Sequence, residues 1–183
     1  MQVILIGYRA CGKSTVGRLL AAKLKIPFRD TDLLVEESLG MPIKEIVARC
    51  GWDHFRALEK EAISRLAQEA ACVVATGGGA VLSEGNVDLL KKMGVVVWLD
   101  APLEDIVERL EADAKSQVTR PQFTVASLVE ETTAVLRQRI PLYEKAADFV
   151  VKTEGKSAEK VVEEIVEYLK RKGGLIKIDC GKN

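Results

Sequence analysis

Residues 7–15 read Gly-Tyr-Arg-Ala-Cys-Gly-Lys-Ser-Thr and satisfy the spacing G-x-x-x-x-G-K-[ST]. That spacing suits triphosphate chemistry. Glycines let the backbone turn tightly enough to aim its N–H groups at phosphate oxygens. The start of a following helix adds partial positive charge. Lys13 can then reach the β- and γ-phosphates, and the Ser14 hydroxyl can ligate Mg²⁺. Ala10, Cys11, Gly12, Lys13, Ser14 and Thr15 are the expected nucleotide-binding residues.

Other residues break the pattern around them. Asp30-Thr31-Asp32 ends a weak apolar run. In an extended chain the two carboxylates would face one side, able to hold a metal and accept a proton. A solvated turn with Asp32 capping a helix from Leu33 is the alternative. In 52–70, Phe55, Leu58, Ala62 and Leu66 form an apolar stripe with Glu59 inside it and Arg56 one turn earlier. A carboxylate on a buried face needs a partner, so Glu59 either holds Arg56 in place or forms an exposed pair at a poorly covered end. In 127–143, Leu128, Thr132, Val135, Leu136 and Tyr143 share a face that includes Arg139, while Arg137 points away. An inward arginine suits a bidentate anion or a structural ion pair.

Thr76-Gly77-Gly78-Gly79-Ala80 follows a buried run, which allows either close approach of backbone to a ligand or simply a tight loop. Asp100 resembles a metal-holding acid at a strand end, or a cap for the helix near Pro102. Segment 114–126, with Lys115, Arg120 and Pro121, reads as a mobile lid that carries charge to a transferring phosphoryl group, or as a plain surface loop. His54, the only histidine, reads as structural.

Positioning these groups requires a layered fold. Apolar runs at 3–6, 72–75, 95–99 and 149–151, with a weaker one at 27–29, predict strands. Their continuous hydrophobicity is that of a parallel sheet buried on both faces. Helical periodicity is predicted at 14–25, 33–39, 52–70, 87–93, 103–112, 127–143 and 157–172. The last starts at Ser157 as N-cap and stops at Gly173-Gly174. The expectation is one three-layer α/β domain over 1–183, with 173–183 as an appendage.

Composition narrows the partners. Of 183 residues, 48% are hydrophobic and 30% charged, as in a soluble globular protein. Lys+Arg and Asp+Glu each number 27, a balance that argues against a nucleic-acid-binding surface. No apolar run approaches membrane-spanning length, and the first strand begins without a signal-peptide pattern. The four cysteines lack metal-finger spacing and suit reduced thiols in a cytosol.

Taken together, the chain resembles the shikimate kinases, within the nucleoside monophosphate kinase-like branch of P-loop folds. The resemblance spans about 3–172. It rests on the P-loop, Asp30-Thr31-Asp32, Phe55-Arg56 with Glu59, Gly77-Gly78-Gly79, Arg120-Pro121 and Arg139-Ile140-Pro141-Leu142-Tyr143. It implies ATP-dependent, Mg²⁺-assisted phosphorylation of the shikimate 3-hydroxyl on a five-stranded parallel sheet. It also implies catalytic roles for Lys13, Asp32 and Arg120, with Arg120 reaching the nucleotide phosphates. Ser14 and Asp30 would hold Mg²⁺, and Asp32 would bind acceptor hydroxyls and act as base or orienter. Arg56, Gly77, Gly78, Gly79 and Arg139 would bind the acceptor, the arginines gripping its carboxylate. Arg109 or Lys156 would lie near the adenine. A cytoplasmic monomer is expected. Gly-Trp-Asp-His before Phe55 and Gln122-Phe123 after Pro121 depart from the family pattern. The rival readings are another small-molecule kinase, such as a gluconate-type sugar kinase or a nucleotide kinase, and a nucleotide-dependent switch.

Overall fold

Five apolar runs form five strands because their side chains can be covered on both faces only inside a sheet. The computed structural model describes residues 1–112 and 127–172. Its elements run β1 (Gln2–Ile6), α1 (Lys13–Leu24), β2 (Phe28–Asp30), α2 (Thr31–Leu39), α3 (Ile43–Leu66) and β3 (Val73–Ala75). After a 3₁₀ turn (Ala80–Leu82) come α4 (Glu84–Met93), β4 (Gly94–Asp100), α5 (Leu103–Ala112), α6 (Leu128–Ala146), β5 (Phe149–Lys152) and α7 (Ala158–Arg171). The sheet order is β2-β3-β1-β4-β5, with every neighbouring pair parallel.

The period of two along each strand separates two cores. Val3 and Leu5 of β1, with Val95, Val97 and Leu99 of β4, pack with α1, α5 and α7. Ile4 and Ile6, with Val96 and Trp98, pack with α3, α4 and the end of α6. A third cluster joins α2 to α3 through Val35, Ile46 and Phe55. The result is the three-layer architecture expected, with a parallel sheet of five strands. The weakness of the second run also has a reason: β2 is an edge strand, and its residues are only partly buried.

Several boundaries differ from the periodicity. α2 begins at Thr31, two residues before Leu33, because Asp30 rather than Asp32 caps it, its carboxylate accepting from the Asp32 N–H. α3 begins at Ile43, not Trp52, and kinks at Gly51 (φ 79, ψ 170), which interrupts the helical pattern. It stops at Leu66, not Ala70, where the Gln2 amide donates to the carbonyls of Leu66, Glu69 and Ala70. α4 starts at Glu84, earlier than 87, behind a Ser83 N-cap. α6 runs past Pro141 to Ala146, and Ser127 and Glu130 form a capping box at its start. Ser157 caps α7 as expected. Segment 114–126, including Lys115, Arg120 and Pro121, and the tail 173–183 lie outside the described residues. Among the described residues no helix is long and apolar enough to cross a membrane.

Because all five strands run the same way, their carboxyl ends share one edge of the sheet. The P-loop after β1, the acids at the end of β2 and the glycine triplet after β3 all emerge there. This is the edge at which open α/β sheets bind ligands.

Candidate active site

The P-loop meets α1 at Gly12, whose backbone is left-handed (φ 98) and brings no side chain over the helix start. The first-turn N–H groups of α1 therefore have no side-chain cap, which is the arrangement that binds phosphate. Ala10, Cys11, Gly12, Lys13, Ser14 and Thr15 all line one cleft of about 550 Å³. Lys13 Nζ donates to the carbonyls of Gly7 at 2.9 Å and Tyr8 at 2.6 Å. Arg109 and Lys156 line the same cleft. Arg109 is braced by Asp105 at 3.1 Å and by the Ala10 carbonyl at 3.3 Å, and Lys156 pairs with Glu164 at 2.8 Å.

The two acids take different directions from those an extended chain would give. Asp30 is the last residue of β2 and turns to the P-loop, accepting from Ser14 Oγ at 2.7 Å while its other oxygen caps α2. Asp32 lies in the first turn of α2 and lines both the nucleotide cleft and a second pocket beside it. The Ser14–Asp30 oxygens are hard donors, suited to a small divalent cation that takes its remaining ligands from phosphate and water. Among the described residues no cluster of three or more acid, histidine or cysteine ligands exists that would hold a metal without phosphate.

The second pocket gathers Asp32, Arg56, Glu59, the three glycines and Arg139. Glu59 is 1% exposed and pairs with Arg56 at 2.7 Å. Burial pushes the Glu59 carboxyl above its ordinary range, and the Arg56 guanidinium pulls it back. Arg56 also lies against the rings of Phe55 and Trp52, at 5.1 and 5.5 Å. Glu59 is thus an internal clamp on Arg56 and not an exposed pair. Arg139, 8% exposed, donates to the Gly78 carbonyl at 3.1 Å and lies 5.9 Å from the Tyr8 ring.

Gly77 and Gly79 pack closely against the charged side chains of the pocket. A Cβ on Gly77 would lie 2.6 Å from Asp32 Oδ1, and one on Gly79 would lie 2.6 Å from Arg56 Cζ. A side chain at either position would displace the charged groups that line the pocket.

Sequence reasoning missed the residues that hold this loop. The buried Thr31 hydroxyl accepts from the Gly77 N–H at 2.9 Å, and the Tyr143 hydroxyl donates to the Gly78 carbonyl at 2.6 Å. It also missed Arg9, which lines both cavities, and its buried partner Glu131. Glu131 is buried on α6 eight residues before Arg139, beyond the margin of the stripe that revealed the arginine. Two residues stand apart from the site. Asp100 lines neither cavity and sits in register with Lys152 on β5, and His54 is exposed on α3. Arg120 falls outside the described residues.

A sequence model described as shikimate kinase matches residues 9–170. A shikimate kinase of Syntrophus aciditrophicus is 45% identical over 173 residues, 90% of this chain and 89% of that protein. The solved shikimate kinase of Acinetobacter baumannii in complex with shikimate is 31% identical and superposes with a TM-score of 0.87 over 93% of each chain. A gluconokinase from Sinorhizobium meliloti, 16% identical with a TM-score of 0.56 over 93% of this chain and 91% of that one, shares the fold alone.

Proposed function

Because this chain belongs to the shikimate kinase family, we propose that it transfers the γ-phosphoryl group of ATP to the 3-hydroxyl of shikimate. The observation that carries this reading is the junction of two cavities at Asp32. A P-loop cleft lies on one side, and a pocket lined by Arg56 and Arg139, with Arg9 at the junction, lies on the other. A hydroxylated carboxylic acid fits that second pocket: its carboxylate meets Arg56 and Arg139, and a ring hydroxyl faces the acid.

In this reading the P-loop amides and Lys13 hold the triphosphate, and the nucleoside lies toward Arg109 and Lys156. Ser14 and Asp30 hold Mg²⁺, which when bound neutralises phosphate oxygens. Asp32 orients the acceptor hydroxyl and accepts its proton. Glu59 keeps Arg56 directed at the acceptor, while Thr31 and Tyr143 keep the glycine loop in place. Arg120 would add charge from the segment outside the described residues. The partners proposed are ATP, ADP and shikimate, for a cytoplasmic monomer acting as one kinase domain.

The test is direct. Purified protein with ATP and Mg²⁺ is offered shikimate, gluconate or a nucleoside monophosphate, and ADP release is followed. Turnover with shikimate is expected, and its absence refutes the proposal. A gluconate-type kinase is the second reading, because gluconate also offers a carboxylate and hydroxyls to the two arginines. Preference for gluconate in this assay would establish it instead.

A further inference from the structure

Among the described residues two line both cavities, and they are Asp32 and Arg9. A residue common to the nucleotide cleft and the acceptor pocket stands where the phosphoryl group passes from one to the other. Asp32 has a role there. Arg9 occupies one of the variable positions of the P-loop pattern, which prescribes no residue there.

The surroundings of Arg9 fix its direction. Its Nη2 pairs with Glu131 Oε1 at 2.8 Å, with side-chain exposures of 9% and 0%. Its guanidinium lies 5.6 Å from the Tyr8 ring. Gly78 approaches the same stretch of P-loop, since a Cβ there would lie 3.3 Å from the Arg9 backbone nitrogen. Tyr8, Arg9 and Gly78 thus meet at the acceptor pocket, and of the three Arg9 also lines the nucleotide cleft.

A buried ion pair is weak support for stability, since an apolar pair of similar volume often serves as well. Its placement here answers a different need. The transferring phosphoryl group spreads negative charge over its three outer oxygens, and the Asp32 carboxylate at the same junction repels it. Lys13 and the metal pair Ser14–Asp30 lie in the nucleotide cleft and not in the acceptor pocket. Arg56 and Arg139 on the acceptor side are engaged by the carboxylate in this reading, and Arg9 is the arginine among the described residues that lines both cavities.

We propose that Arg9 is a catalytic residue that donates hydrogen bonds to the transferring phosphoryl oxygens, and that Glu131 is the residue that positions it. This rests on the kinase reading above. In the step, the acceptor oxygen bonds to the γ-phosphorus as the bond to the β–γ bridging oxygen breaks. The hydroxyl proton passes to Asp32, and the electron pair of the broken bond leaves with ADP. Arg9 keeps its proton throughout.

The experiment compares wild type with Arg9→Ala, Arg9→Lys, Glu131→Gln and the double variant Arg9→Ala/Glu131→Gln. It reads kcat, both KM values, ADP affinity, and the affinity for ADP with aluminium fluoride in the presence of shikimate. Arg9→Ala is expected to lower kcat by about 10²–10³-fold, as loss of one preorganised donor does. ADP affinity should stay within about threefold, and the aluminium fluoride complex should weaken with kcat. Glu131→Gln should lower kcat by about 10-fold, and the double variant should be no slower than Arg9→Ala, because Glu131 acts through Arg9. A kcat within about threefold of wild type in Arg9→Ala, or a fall matched by lost ADP affinity, overturns the role of Arg9. Additive losses in the double variant overturn the positioning role of Glu131. Should Arg9→Ala fail to fold, Arg9→Lys decides by the same criteria, since it keeps the charge beside Glu131 but not the fork. Failure of the kinase reading itself is distinguishable: wild type would then not turn over shikimate at all.

Discussion

Removing the Arg139 guanidinium separates acceptor binding from everything else the residue does. Arg139 is buried at the acceptor pocket, and truncating one partner of a buried charged pair costs about 2–5 kcal/mol. Arg56 lines the same pocket and retains part of the attraction, so the lower half applies, about 2–3 kcal/mol. That corresponds to a rise in shikimate KM of about 30–150-fold in Arg139→Ala. The fold should feel less. The Gly78 carbonyl that Arg139 touches also accepts from Tyr143 at 2.6 Å, so it keeps a partner, and the lost hydrogen bond is worth about 1 kcal/mol. In a chain of this size that lowers Tm by about 2–4 °C. The assay is steady-state ADP release with shikimate and ATP varied in turn, beside a thermal melt. An ATP KM that rises as much as the shikimate KM, or a shikimate KM within about threefold of wild type, refutes the assignment of Arg139 to the carboxylate.

Three further perturbations test the rest of the site. Asp32→Asn should lower kcat by about 10²–10⁴-fold, the range for a lost general base, while equilibrium ADP affinity is kept; wild-type turnover would remove Asp32 from the mechanism. Asp30→Asn keeps a good helix cap for α2 but weakens the metal pair with Ser14. It should leave Tm nearly unchanged and raise the Mg²⁺ concentration for half-maximal rate by about 10-fold or more, read by titration; an unchanged Mg²⁺ requirement excludes Asp30 as a ligand. Burial raises the Glu59 carboxyl above its ordinary 4.5, so its stability contribution is fully present below 4.5 and is lost as pH rises through the raised value. Wild type should therefore lose stability relative to Glu59→Gln as pH increases across that window in urea denaturation, and a pH-independent difference between the two contradicts the burial argument.

The strands were legible because a sheet covered on both faces leaves continuous apolar runs, and the one faint run belongs to the half-exposed edge strand β2. Glu59 and Arg139 were legible for the opposite reason, as charges inside an apolar stripe. Arg9 left no such signal, because a P-loop prescribes its glycines, lysine and hydroxyl and leaves the residues between them open. Glu131 was masked by its place in the first turn of α6, where acids are ordinary partners of the helix dipole. Thr31 and Tyr143 look like a helix-start residue and a core residue, and their hydroxyl contacts join segments 46 and 65 residues apart. The acid pair was half legible. Both carboxylates reach the site, but the helix starts between them and turns Asp32 away from Asp30.

By strand order the second pocket draws on one half of the sheet, whereas the P-loop cleft draws on both. β1 is central, and β3 and β2 on one side supply the glycine triplet, Asp30 and Asp32. On the other side, β4 and β5 lead into Arg109 on α5 and Lys156 before α7, both at the nucleotide cleft. One helix crosses this division. α6 lies between α5 and β5 in the chain, yet Glu131 reaches the P-loop at Arg9 and Arg139 reaches the glycine loop at Gly78. Its inner face therefore touches the phosphate-binding loop and the acceptor-binding loop within eight residues. A shift of α6 as a body displaces both contacts together. Substitutions that tilt this helix should change kcat and acceptor KM jointly, whereas changes confined to β2 and the start of α2 can alter one without the other.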